Sequence, residues 1–193
     1  MSFGHEDDMP VCESEDETFI DQRDIDYFEG YVGANISFPS GSVWTLKESI
    51  GEHAYYEVRP EVRGAFIASK VSGDGPATAL IKIRLQIPDY SEATYLANIR
   101  PGQAVEAPHN FSSEIEALSL LTKAGCSCTP SLYDWKKDKQ TDQEPVPRGY
   151  KLFILMELLP GIMPEDLFFS EDSEDGAREE RDELRSAFKK SWL

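Results

Sequence analysis

Hydrophobic and polar residues alternate most clearly in the middle of the chain. Ala77-Thr78-Ala79-Leu80-Ile81-Lys82-Ile83-Arg84 is a short, β-branched run. Side chains alternate faces along a strand, so Ala77, Ala79, Ile81 and Ile83 share one face and Thr78, Leu80, Lys82 and Arg84 the other. A Lys between two Ile residues is costly on a buried face unless a counter-charge meets it. Glu114-Ile115-Glu116-Ala117-Leu118-Ser119-Leu120-Leu121 changes period. Ile115, Leu118 and Leu121 fall on one side of a helix, with Glu114 at its start. The pattern predicts a helix to Lys123, capped by Ser112 or Ser113 and ended by Gly125.

Other segments read in the same way. Tyr55–Arg59 and Gly64–Val71 read as strands, and Ser72-Gly73-Asp74-Gly75-Pro76 is a strong turn signal before the third strand. Leu132–Trp135 and Tyr150–Leu158 read as paired strands. Lys136–Gly149, polar and Pro-containing, reads as an exposed, mobile linker. Ser91–Asn98 is expected to hold a short helix. Arg178–Trp192 reads as a helix with Leu184, Ala187, Phe188 and Trp192 on one face. Such a stripe needs a surface to bury against, so Leu184, Phe188 and Trp192 are expected to mediate self-association or to bind a protein partner.

The order of these elements resembles the small N-terminal lobe of the protein-kinase-like fold, in particular the divergent kinase-like proteins of fungi. Ala79-Leu80-Ile81-Lys82 is similar to the family's strand whose Lys meets the α/β-phosphates and a helix Glu. Glu114, with leucines four and seven residues later, is similar to that Glu; Glu116 competes with it as partner. Leu152–Gly161 resembles the fifth strand running into the hinge. The resemblance implies that Met156 is the gatekeeper and that Glu157, Leu158 and Leu159 offer backbone groups to an adenine ring. It covers roughly Tyr55 to Leu193.

The chain also departs from that pattern. The Gly-rich loop is replaced by Arg59-Pro60-Glu61-Val62-Arg63-Gly64-Ala65-Phe66-Ile67, with one Gly. Pro60 lacks an N–H, and Glu61 is negative where phosphates would sit. Arg63 and Gly64 can touch a phosphate there, or simply form a hairpin turn. No H-R-D or D-F-G motif occurs in these 193 residues, and His5, His53 and His109 all precede the hinge. The catalytic base and Mg²⁺ ligands of phosphoryl transfer come from those motifs. The cofactor-binding set implied is therefore Lys82, Glu114, Met156, Glu157, Leu158 and Gly64, with ATP/Mg²⁺ bound weakly or not at all and no catalytic residue.

Charge divides the chain. The net charge is −17, but residues 1–30 hold eleven acids and one Arg, and residues 165–183 hold ten acids and two Arg. Residues 31–164 are nearly neutral, with fifteen acids and thirteen bases. Dense like charge opposes packing, so disorder is the expected state of both acidic segments. It also disfavours nucleic acid and anionic membranes as partners. No run approaches the length of a membrane span, and the N-terminal residues lack the features of a signal peptide. Cys12, Cys126 and Cys128 give no even disulfide framework, which points to an intracellular setting, cytoplasmic or nuclear.

The sequence thus predicts an α+β fold: a twisted, mostly antiparallel five-stranded sheet with one main packed helix, plus a separate C-terminal helix. The expected division is a disordered acidic tail (1–23), an irregular N-terminal extension (24–54), a kinase-like small lobe (55–163), and an acidic linker with an amphipathic helix (164–193). The function expected is that of a kinase-like small lobe, ancestrally ATP-dependent and inactive as this chain. The alternatives are a non-catalytic protein-interaction module and a truncated gene model of a full kinase-like phosphotransferase.

Overall fold

The computed structural model describes residues 25–56, 59–89 and 100–160, and near the C-terminus 182–183, 185–187 and 189–190. The expected helix at Ser91–Asn98 and the stripe of Leu184, Phe188 and Trp192 lie outside the described residues, as does the 1–23 tail.

The elements in order are β1 (Asn35–Ser37), β2 (Val43–Tyr55), β3 (Glu61–Ser72), β4 (Thr78–Gln86), a 3₁₀ turn (Arg100–Gln103), α1 (His109–Lys123), β5 (Leu132–Lys139) and β6 (Tyr150–Met156). The six strands form one antiparallel sheet in the order β1-β2-β3-β4-β6-β5. The α+β class is as expected, but the sheet has six strands and not five. The two ends of the sheet approach each other: Ser40, between β1 and β2, donates its N–H to Asp134 Oδ2 of β5 at 2.8 Å. The sheet therefore curls into a half-barrel.

The additional strand material comes from residues expected to be irregular. Val43–Tyr55 forms β2; of the strand expected at Tyr55–Arg59, Tyr55 is the last residue of β2, Tyr56 and Arg59 are in no strand, and 57–58 lie outside the described residues. Three register shifts against β3, at Val43/Trp44, Leu46/Glu48 and Ser49/Gly51, explain the misreading. A bulge inserts an extra residue and breaks the period-2 alternation that identifies a strand. Gly64, expected near a turn, lies inside β3, paired with Glu52 and Ile83.

Inside the curl lies the larger core. Ile81, Ile83 and Leu85 of β4, Val62 and Phe66 of β3, and Phe153 and Leu155 of β6 are buried there with Trp44 and Leu46. The segment before β2 closes this face with Tyr27, Phe28, Ile36 and Phe38. Gly64 makes that closure possible. A Cβ at Gly64 would stand 2.6 Å from the Phe28 ring and 2.8 Å from the Phe66 ring, closer than carbon atoms pack. Tyr31 fastens the segment from outside by donating its hydroxyl to Glu144 Oε1 at 2.9 Å, and Lys151 pairs with the same carboxylate.

The opposite face packs on α1. Phe111 and Ile115 are buried against Tyr150, Leu152, Ile154 and Met156 of β6, with Leu118 partly buried beside them. The start of α1 differs from expectation. Pro108 is the N-cap with no side-chain cap, and Ser113 Oγ turns back to His109 at 3.2 Å (Nδ1) and 3.4 Å (O). Pro108, extended at φ −68° and ψ 148°, has the non-helical backbone of an N-cap but no side-chain acceptor to offer. The end is as predicted. Gly125 has φ +68°, its N–H donates to the Thr122 carbonyl, and Cys126 N–H donates to the Leu121 carbonyl, the two bonds of a Schellman cap.

The stretch Lys136–Gly149 also departs from a mobile linker. Its first four residues extend β5 to Lys139, and Gln140 and Val146 are buried. The Gln140 amide donates to the carbonyls of Gln86 and Tyr150 and its Oε1 accepts the Val146 N–H, so this turn is tied to the sheet. Charged residues on an exposed edge strand carry no burial pattern, which is why it reads as loop.

Candidate functional site

On the α1 side of the sheet, Ala65 of β3 and Ile154 of β6 flank Lys82, while Arg63 and Leu152 flank Arg84. The period-2 rule puts Lys82 and Arg84 on this face, away from the Ile81/Ile83 core. Glu114 is in the second turn of α1, directly above. Lys82 Nζ donates to Glu114 Oε1 at 3.2 Å, and Arg84 Nη1 lies 3.9 Å from Glu114 Oε2. The side chains of Lys82 and Glu114 are 45% and 32% exposed. An ion pair this open is worth about 0–1 kcal/mol, so it positions Lys82 more than it stabilises the fold.

Arg84 belongs to a second, buried arrangement. Its Nη2 donates to both oxygens of Glu61, at 2.7 and 2.8 Å, and to Asn110 Oδ1 at 2.9 Å. Arg63 Nε donates to Glu61 Oε1 at 2.7 Å, and the Tyr150 hydroxyl donates to Glu61 Oε2 at 2.9 Å. Burial alone would raise the Glu61 carboxyl. The hydrogen bonds from Arg84 and Arg63, the Arg84 charge and the Tyr150 hydroxyl hold it below its usual value. Tyr150 is pushed the other way, by burial and then by the Glu61 charge. Glu61, read from sequence as an unfavourable charge in a phosphate loop, is thus the anchor of a buried network at the start of β3. The one clue in the sequence was Arg84, two residues from Lys82 on the same face.

The implied cofactor residues fall into three places. Lys82 and Glu114 meet, as above. Met156 is buried at the end of β6, opposite Leu80 and Leu132. Glu157 and Leu158 follow it. Glu157 N–H donates to the Ser131 carbonyl at 2.9 Å, and Glu157 Oε2 accepts from the Ser131 N–H and hydroxyl at 3.1 and 2.9 Å. Those bonds lower the Glu157 carboxyl. Gly64 stands apart: the space its missing side chain leaves is filled by Phe28, on the face opposite Lys82.

Beside the network, a cleft of about 670 Å³ opens between the end of β2, the start of β3 and the start of α1, lined by Tyr55, Arg59, Glu61, Arg63, Pro108 and Asn110 among others. Among the described residues there is no group of three or more His, Cys, Asp or Glu placed to hold a metal ion, and no helix long and apolar enough to cross a membrane.

No protein-family model matches the chain, and no curated protein matches it. Among solved structures, one match is "Structure of vaccinia related kinase 3", at 13% identity and a TM-score of 0.30, over 72% of this chain and 34% of that one. The chain spans about a third of that structure's length. The match is a weak kinase-like likeness of fold and nothing more.

Proposed function

We propose that this domain is a kinase-like small lobe in which Lys82, held by Glu114, is the group that contacts nucleotide phosphate, and that these residues bind ATP weakly and do not transfer its phosphate. The observation that carries the reading is the 3.2 Å pair between a strand Lys and a helix Glu thirty-two residues apart in sequence. A Lys whose charge is oriented by a carboxylate, yet half open to solvent, can meet a second anion without being drawn from a dry site. The strand after α1 and β5 then ends at Met156, and the backbone from Glu157 to Leu159 would face the adenine.

The residues fit ATP only in part. Lys82 is accessible and paired, which favours it. Glu157 N–H is already committed to Ser131 and Gly64 to Phe28, which removes two of the contacts the resemblance implies. The Pro60/Glu61 turn offers less backbone N–H and more negative charge than a phosphate-covering loop requires. Weak binding follows from that balance, and the absence of H-R-D and D-F-G motifs from these 193 residues leaves them without a base or metal ligands for transfer. The reading is tested by melting the protein with and without millimolar Mg·ATP, where any stabilisation follows RT ln(1 + [L]/Kd). A small rise that Lys82→Ala removes supports it; a rise that Lys82→Ala leaves intact overturns it.

A further inference from the structure

The turn that joins α1 to β5 carries two thiols two residues apart, Cys126 and Cys128, both free. The turn is held at both ends. On the helix side, Gly125 takes φ +68° and the Cys126 N–H donates to the Leu121 carbonyl. On the strand side, the Leu132 N–H donates to Thr122 Oγ1 at 2.8 Å, and Ser131 donates both its N–H and its hydroxyl to Glu157. Held in this way, the turn leaves Cys126 partly exposed and Cys128 exposed.

The groups around the Cys126 sulfur suit a thiolate. The backbone N–H groups of Cys128 and Thr129, the Thr129 hydroxyl and the Cys128 thiol all face it. Together, the Cys128 N–H foremost, they hold the Cys126 thiol below its usual value, against the partial burial that would raise it. Thr129 adds an independent observation. Its Oγ1 is buried with no hydrogen-bond partner among the described residues, which is unfavourable for a hydroxyl. A neutral thiol is a weak acceptor, whereas a thiolate beside that hydroxyl supplies the acceptor it lacks. Neither the Lys82–Glu114 pair nor the Glu61 network uses these groups.

We propose that Cys126 is a thiol-exchange site for small disulfides, with Cys128 as the thiol that resolves the mixed disulfide. The Cys126 thiolate attacks one sulfur of the small disulfide. A bond forms between Cys126 and that half, and the other half leaves as a thiolate that takes a proton from water. Cys128 gives its proton to solvent and attacks the Cys126 sulfur. The Cys126–Cys128 bond forms, and the second half leaves as a thiol. The small disulfide is reduced to two thiols and the Cys pair is oxidised by the same two electrons. The site does not depend on the Lys82 reading.

The test is timed exposure of the full chain to oxidised glutathione at pH 7, followed by intact-mass and peptide-mass analysis. The wild type is expected to lose two hydrogens through a Cys126–Cys128 bond. Cys128→Ser should instead retain one glutathione on Cys126, because nothing resolves it. In Cys126→Ser, the remaining Cys128 should react more slowly than Cys126 does in Cys128→Ser, by about threefold or more. Thr129→Val keeps the shape of the side chain and removes the hydroxyl. Introduced into Cys128→Ser it should slow the Cys126 reaction, and introduced into Cys126→Ser it should leave the Cys128 rate unchanged. Equal rates for the two thiols, or no glutathione held on Cys126 in Cys128→Ser, would overturn the proposal. A mixed disulfide that persists on the wild type without closing would overturn the role of Cys128.

Discussion

Arg84 and Glu61 share a buried, two-oxygen contact across neighbouring strands, with both side chains 6% exposed. Their attraction is offset by desolvation, but removing one partner leaves the other buried without its counter-charge. Glu61→Gln should therefore destabilise the fold by about 3–5 kcal/mol, read from denaturant unfolding. Arg84→Met combined with it should cost less than the two single changes added together, because the double variant leaves no buried charge. Additive costs would show that the two side chains act separately.

The same carboxylate sets an acid limit. The folded state holds Glu61 below its usual value of about 4.5, so the stabilisation is fully present above that pH and is lost as pH falls through the lower, folded value. Unfolding free energy measured from pH 7 downward should fall below about pH 4.5, more steeply in the wild type than in Glu61→Gln. Equal slopes would remove Glu61 from the acid transition.

Gly64 gives a test that separates packing from ligand contact. A methyl group there meets the Phe28 ring at 2.6 Å, so Gly64→Ala should cost about 1–3 kcal/mol and loosen the segment that carries Phe28. Gly64→Ala should cost less in a Phe28→Ala background than in the wild type, because the ring that the methyl group meets at the closest distance is gone. Unchanged stability in Gly64→Ala, with weaker ATP binding, would instead assign Gly64 to a ligand.

Lys82 and Glu114 should matter little to stability. Their pair is open to solvent, so Lys82→Ala and Glu114→Ala should each shift unfolding free energy by about 1 kcal/mol or less. A loss of several kcal/mol from either would make the pair a structural element instead of a positioned charge.

How much of this was legible in the sequence follows from periodicity. Lys82 and Glu114 lie in segments with unbroken period-2 and helical patterns, so both faces and their meeting could be read, and Gly125 marked the helix end. β2 could not be read, because its bulges break the alternation and Lys47 to His53 carry no buried side chains. The Glu61–Arg84 contact was hidden for another reason. It depends on the pairing of β3 with β4, which sets Arg63 opposite Arg84 and Glu61 opposite Gln86, and register is fixed by the whole sheet and not by either segment. Gly64 was misplaced because its partner, Phe28, comes from a segment with no strand pattern at all.

The central claim is that Lys82 is a phosphate-contacting group in a domain that does not transfer phosphate. It is tested most directly by titrating Mg·ATP into the wild type and Lys82→Ala, with NMR shifts and phosphate release followed on the same samples. The account predicts binding no tighter than a Kd of about 1 mM, shifts at Lys82 and along Glu157–Leu158, loss of both in Lys82→Ala, and no release of phosphate. Phosphate release that depends on Lys82, or ATP binding that survives Lys82→Ala with the same shifts, would contradict it.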